Sequence, residues 1–102
     1  METFNVYRSK FESLCKNILI YGADVKKMKE NKAKLLFLAN DVIWYYGFVK
    51  DNDVDDKDSL LNDINNLLGD IRYMISGIDR FIDEERFTDY LNIVKMCVNI
   101  IE

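Results

Sequence analysis

The 102-residue chain has no histidine and no proline, only four glycines and only two cysteines. Each shortage excludes something. Without histidine there is no Ser-His-Asp triad, no His-ligated zinc and no imidazole general base, and neither cysteine has a histidine to activate it as a nucleophile. No glycine-rich phosphate-binding loop is present. Without proline, and with glycine scarce, the turn punctuation of an all-β fold is missing, which favours long helices. Cys15 and Cys97 lie in apolar helical patterns without metal-ligand spacing. They read as buried free thiols of a reducing compartment rather than as a disulfide framework.

Long hydrophobic runs are also lacking. The longest, Leu35 to Val49, is interrupted by Asn40 and Asp41 and is too short to span a bilayer. The start, Met1-Glu2-Thr3-Phe4, lacks the basic segment and apolar run of a signal peptide. The expectation is a soluble, intracellular protein, cytoplasmic and not membrane-bound.

What is present is the balance of an ordinary globular domain: 49% hydrophobic and 31% charged residues. One domain spanning residues 1–102 and one core are expected at this length. The net charge of −4 opposes general nucleic-acid binding, which needs a surplus of cations. The charge is uneven: residues 1–50 carry nine Lys and Arg against five Asp and Glu, and residues 51–102 carry five against thirteen. Such polarity either steers a charged partner or lets the two halves face each other within the fold.

The apolar residues fall into four blocks with helical spacing. Phe4, Tyr7, Phe11, Leu14, Ile18 and Tyr21 form the first seam, stopped by Gly22 and followed by Asp24 as a helix N-cap. In the second block Met28, Leu35, Ala39, Val42, Tyr46 and Val49 share a face flanked by Leu38 and Ile43, yet Phe37, Trp44 and Phe48 occupy the opposite face beside Asn40 and Asp41. The third block is the cleanest, with Leu60, Ile64, Leu67, Ile71, Met74, Ile78 and Phe81 in unbroken 3/4 spacing. Its seam loses register between Asp83 and Arg86, where Asp83 fits an N-cap, Glu84 and Glu85 suit a first turn, and Ile82 and Phe87 fit a hydrophobic staple. The fourth block then carries Phe87, Tyr90, Leu91, Val94, Cys97, Val98 and Ile101, a continuous kinked helix being the competing reading. The fold class expected is all-α: an antiparallel four-helix bundle with helices at about 3–21, 24–50, 58–82 and 84–101. A β-hairpin over Leu35–Val49, turning at Asn40-Asp41, is opposed by the helical spacing on both sides.

Four local patterns invite a chemical reading. Asp51-Asn52-Asp53-Val54-Asp55-Asp56-Lys57-Asp58 resembles the opening of an EF-hand calcium loop, with carboxylates at its first, third and fifth positions. The sixth position, where that loop needs glycine, is Asp56, and the twelfth, normally a bidentate Glu, is Asn62. Asp51, Asp53, Asp55, Asp56 and Asp58 therefore read as a solvated acidic surface leading into helix three, and no metal or cofactor is expected. Asp63 and Asp70 lie on one polar stripe with Asn62 and Asn66 and lack the Glu-x-x-Glu pair of helical nucleotide pyrophosphatases. Lys26, Lys27, Lys29, Lys32 and Lys34 make the start of helix two basic, which reads as a solvated face before it reads as a phosphate-contacting one.

The fourth pattern is the second apolar face of helix two. Either helix two is central and covered on both sides, or Phe37, Asn40, Asp41, Trp44 and Phe48 form a contact surface, an aromatic centre with a polar rim. With catalysis short of its usual residues, the expectation is a non-enzymatic protein-binding module acting through this face and the acidic C-terminal half. An inhibitor or immunity-type regulator is the role that fits best, and the Asn-, Ile-, Lys- and Asp-rich composition points to an AT-rich bacterial, phage or viral genome. The alternatives are a homodimer or larger homo-oligomer built on the same face, and a nucleic-acid mimic or binder. No motif identifies a family.

Overall fold

The computed structural model describes residues 3–102; Met1 and Glu2, on which the reading of the N-terminus partly rests, lie outside the described residues. Four helices follow one another: α1 (Phe4–Tyr21), α2 (Val25–Asp51), α3 (Lys57–Glu84) and α4 (Phe87–Ile101). Contacts across each connection join residues at similar distances from the turn, the mark of antiparallel neighbours. Tyr7 and Tyr45 place their rings 5.1 Å apart across α1 and α2. Lys32 pairs with Asp79 across α2 and α3, and Cys97 Sγ lies 3.9 Å from Met74 Sδ across α3 and α4. The α1 helix also packs on α4, closing the ring, while α2 and α4 sit on opposite corners. The molecule measures 46 × 23 × 18 Å, and the 28-residue α3 runs nearly its full length at about 1.5 Å per residue. This is the four-helix bundle the spacing predicts.

Helix ends follow from local chemistry in part. Gly22 adopts φ 61°, a left-handed conformation that glycine takes without steric cost, and its N–H donates to the Ile18 carbonyl to close α1. Asp24 caps α2 as its position predicts, its Oδ1 accepting from the Lys27 N–H at 3.1 Å. At the far end of α2, Asn52 Nδ2 donates to the Phe48 carbonyl and Lys57 Nζ to the Lys50 carbonyl, satisfying two terminal acceptors.

The third junction differs from the sequence expectation. Asp83 is not an N-cap: α3 continues through Asp83 and Glu84, Glu85 closes it in the left-handed region at φ 51°, and Arg86 precedes α4. There is accordingly no kinked continuous helix. Asp89, buried in the first turn of α4, accepts from Arg86 Nε at 3.0 Å and supplies the acid that the helix N-terminus favours. Phe87 is largely exposed and stacks on Tyr90 rather than stapling the core.

One core joins all four helices. The α3 seam is buried from Ile64 to Phe81 as expected, whereas Leu60 is only half-buried. On α1 the innermost line is Tyr7, Phe11, Cys15 and Ile18; Leu14 turns toward the α1–α2 groove and Tyr21 is half-exposed. On α2, Tyr45 takes the core position assigned from sequence to Tyr46, and Ile43 faces outward. On α4 the core line is Ile93 and Cys97, while Leu91 and Val98 are exposed. Gly77 on α3 permits close approach of α4: a Cβ there would stand 2.7 Å from Met96 Cε.

Candidate functional site

The outer face of α2 is exposed. A 3.6-residue repeat places positions three and four apart on one side of a helix, so Phe37, Asp41, Trp44 and Phe48 form a ridge about 16 Å long. Trp44 is 78% exposed, Phe37 74% and Phe48 44%. Asn40 and Asp41 are exposed among them, and Leu36 and Ile43 extend the apolar area. The same helix buries Leu35, Leu38, Val42, Tyr45 and Val49 on its inner side. Helix two is thus not central. Its inner face suffices for the core, while Phe37 and Trp44 stand largely clear of the chain and Phe48 is about half covered.

Two open grooves flank the ridge. The first, of 610 Å³, lies between α1 and α2, walled on α1 by Val6 and Leu14 with the polar Asn5, Ser9, Lys10 and Ser13, and on α2 by Lys34, Phe37, Leu38 and Asp41. The second, of 620 Å³, is formed by Ile43, Trp44, Gly47, Phe48, Asp51 and Asn52. Gly47 lies among its lining residues, and a Cβ at that position would have open space around it, with no neighbouring side chain within 4 Å. Lys34, Asp41 and Asp51 have neither an ion-pair nor a side-chain hydrogen-bond partner among the described residues.

The acidic stretch is spread out. Asp51 ends α2 and Lys57 begins α3, so the last six positions of the EF-hand-like dodecapeptide are helical and cannot wrap a cation. Asp51, Asp53, Asp55, Asp56 and Asp58 are all exposed, and Asp56 starts α3 in a left-handed conformation without a side-chain cap. Among the described residues, no three His, Cys, Asp or Glu side chains converge as a metal site would require. The lysines of α2 diverge as well. Lys27 pairs with Glu30 and lies over the Tyr21 ring, while Lys32 is engaged by Asp79.

Sequence reasoning missed the meeting of the two cysteines. Cys15 and Cys97 are fully buried and free, side by side between α1 and α4. A hydrogen bond with Cys97, together with burial, pushes the Cys15 thiol well above the usual thiol range. Both side chains are fully buried and fill the space between α1 and α4 as small apolar groups. Nothing in the primary sequence brings positions 82 residues apart together, although both lie on apolar helical lines. A second exposed apolar stripe, Phe87, Leu91 and Val98 on α4, is narrower and adjoins no groove of comparable size.

No helix is long and apolar enough to cross a membrane among the described residues. Compared with known proteins, the chain matches no family model, no curated protein sequence and no solved structure.

Proposed function

We propose that the protein is a non-enzymatic protein-binding module whose docking surface is the outer face of α2. The observation that carries this reading is the exposure of Phe37, Trp44 and Phe48 on one ridge. Isolated apolar residues are ordinary on a surface, but a contiguous aromatic ridge is costly to leave in water and typifies interface centres. Tryptophan is the residue most enriched among binding hot spots, and Asn40, Asp41 and Asp51 give the ridge its polar rim.

The acidic α2–α3 connection and the excess of carboxylates in the C-terminal half would steer a basic surface of a partner toward this end of the molecule. A small inhibitor or immunity-type regulator in the cytoplasm of a low-GC bacterium, or of a phage- or virus-infected cell, fits that combination of small size, a single docking face and charge polarity. The absence of histidine from the sequence and the dispersed acids support a role in binding over catalysis.

The test is capture of binding proteins from host extract by wild-type protein and by Trp44→Asp. Because Trp44 is mostly solvent-exposed, the substitution should leave the helical content and, in dilute protein, the melting temperature intact while abolishing capture. Undiminished capture by the folded variant would refute the reading.

A further inference from the structure

Resting on the reading of the α2 outer face as a docking surface, we infer that its occupant is a second copy of this chain, packed antiparallel about a two-fold axis passing between Val42 and Ile43. The face has the symmetry such an interface needs. A two-fold interface is self-complementary, each residue meeting its mirror position on the partner. Reversing α2 about that midpoint exchanges Phe37 with Phe48, Asp41 with Trp44 and Lys34 with Asp51. Ring thus meets ring, cation meets anion, and a carboxylate meets an indole N–H donor.

The register is that of a short coiled-coil seam. Lys34, Asp41 and Phe48 repeat at one heptad position, and Phe37, Trp44 and Asp51 at the other. In such packing each seam side chain enters a hole formed by four residues of the facing helix. The hole facing Phe48 of one copy consists of Lys34, Phe37, Leu38 and Asp41 of the other. Those four residues are the α2 wall of the 610 Å³ groove. The hole facing Phe37 consists of Trp44, Gly47, Phe48 and Asp51, which belong to the 620 Å³ groove. Both grooves therefore lie where the symmetry requires a receptor for a phenyl ring.

Gly47 leaves open the space that this packing would use. Within a helix glycine is disfavoured, and here no atom of the chain needs the space; an incoming Phe37 ring does. Charge agrees as well. The partnerless Lys34 and Asp51 sit at opposite ends of the seam, so the antiparallel arrangement joins them twice, whereas a parallel one would set like charges together. At their observed exposures the three aromatics contribute about 400 Å² per copy. That is roughly half of what a standard interface removes from each partner, and Leu36, Ile43 and the α1 wall at Val6 and Leu14 lie beside the ridge to extend it.

Sedimentation equilibrium from dilute protein up to about 1 mM tests the assignment. Wild type should form a dimer. Trp44→Asp and Gly47→Leu, both folded by circular dichroism, should each weaken association by at least about 30-fold. Lys34→Glu and Asp51→Lys should each weaken it by about tenfold, since symmetry counts every change twice, and the double variant Lys34→Glu/Asp51→Lys should restore it. A dimer that Trp44→Asp breaks but the double charge swap fails to restore overturns the antiparallel register. A wild-type chain that stays monomeric overturns the second copy as occupant; the docking reading is then judged separately, by whether Trp44→Asp loses capture of another protein. A dimer indifferent to both Trp44→Asp and Gly47→Leu overturns the inference and removes the ridge from self-association altogether.

Discussion

Trp44 and Leu35 lie nine residues apart on α2 and belong to different worlds: Leu35 is wholly buried, whereas Trp44 is 78% exposed. Truncating Leu35 to Ala removes core contacts and leaves a cavity, so chemical denaturation should register a loss of about 2–5 kcal/mol. Truncating Trp44 to Ala should change unfolding free energy by less than about 0.5 kcal/mol in dilute protein, as for surface positions generally. Gly47 gives a sharper contrast. Replacing it by Ala meets no neighbour and should raise monomer stability by about 0.5–1 kcal/mol through helix propensity, while lowering affinity at the ridge. At this scale the sequence was legible where one face alone was apolar. It was ambiguous on α2, where Tyr45 and Tyr46 are adjacent, Leu38 and Ile43 sit on opposite flanks of the core face, and both sides are hydrophobic. Only packing against α1 and α3 decides which of each pair goes inward, and Tyr7 settles it for Tyr45 by meeting its ring.

Among the elements, α3 was the most readable because its alternation is strong and its polar face clean, and the structure buries that seam from Ile64 to Phe81. The α3–α4 junction was less so. Asp83, Glu84 and Glu85 are equally acceptable in a last turn or a first turn by side-chain type alone, and the break falls two to three residues beyond the expected cap. The backbone marks it through the left-handed Glu85, whose N–H donates to the Phe81 carbonyl. That conformation is strained for a residue with a Cβ. Glu85→Gly should therefore stabilise the protein by about 1 kcal/mol, measured by thermal or urea unfolding. At the start of α2, Asp24→Ala should cost about 1 kcal/mol by removing the acceptor for the Lys27 N–H. If either substitution is neutral, the cap geometry assigned to that end is wrong. Neither change touches the ridge, so both should leave association unaltered.

For the whole molecule, the ring of four helices decides which helix faces are left uncovered. With α2 packed on α1 and α3 and diagonal to α4, its outward side has no neighbour within the chain. No periodicity argument could supply that fact, because it depends on which corner of the bundle α2 occupies. The meeting of Cys15 and Cys97 is invisible in sequence for the same reason. An association that involves folded chains alone stabilises them by mass action. The melting temperature of wild type should accordingly rise with protein concentration, and that of Trp44→Asp should not. In the proposed dimer the two Lys34–Asp51 pairs would lie at the rim, so added salt should weaken it only modestly, the aromatic packing being insensitive to screening.

The proposed covering of the α2 outer face by its own copy has a built-in probe, since Trp44 is the chain's only tryptophan. Indole fluorescence recorded from dilute to concentrated protein reads the environment of that single residue. The emission should move to shorter wavelength as concentration rises, along the same isotherm as the mass measured by sedimentation, and this shift should vanish in Gly47→Leu. An emission that stays at the water-exposed position across the whole range would contradict the account.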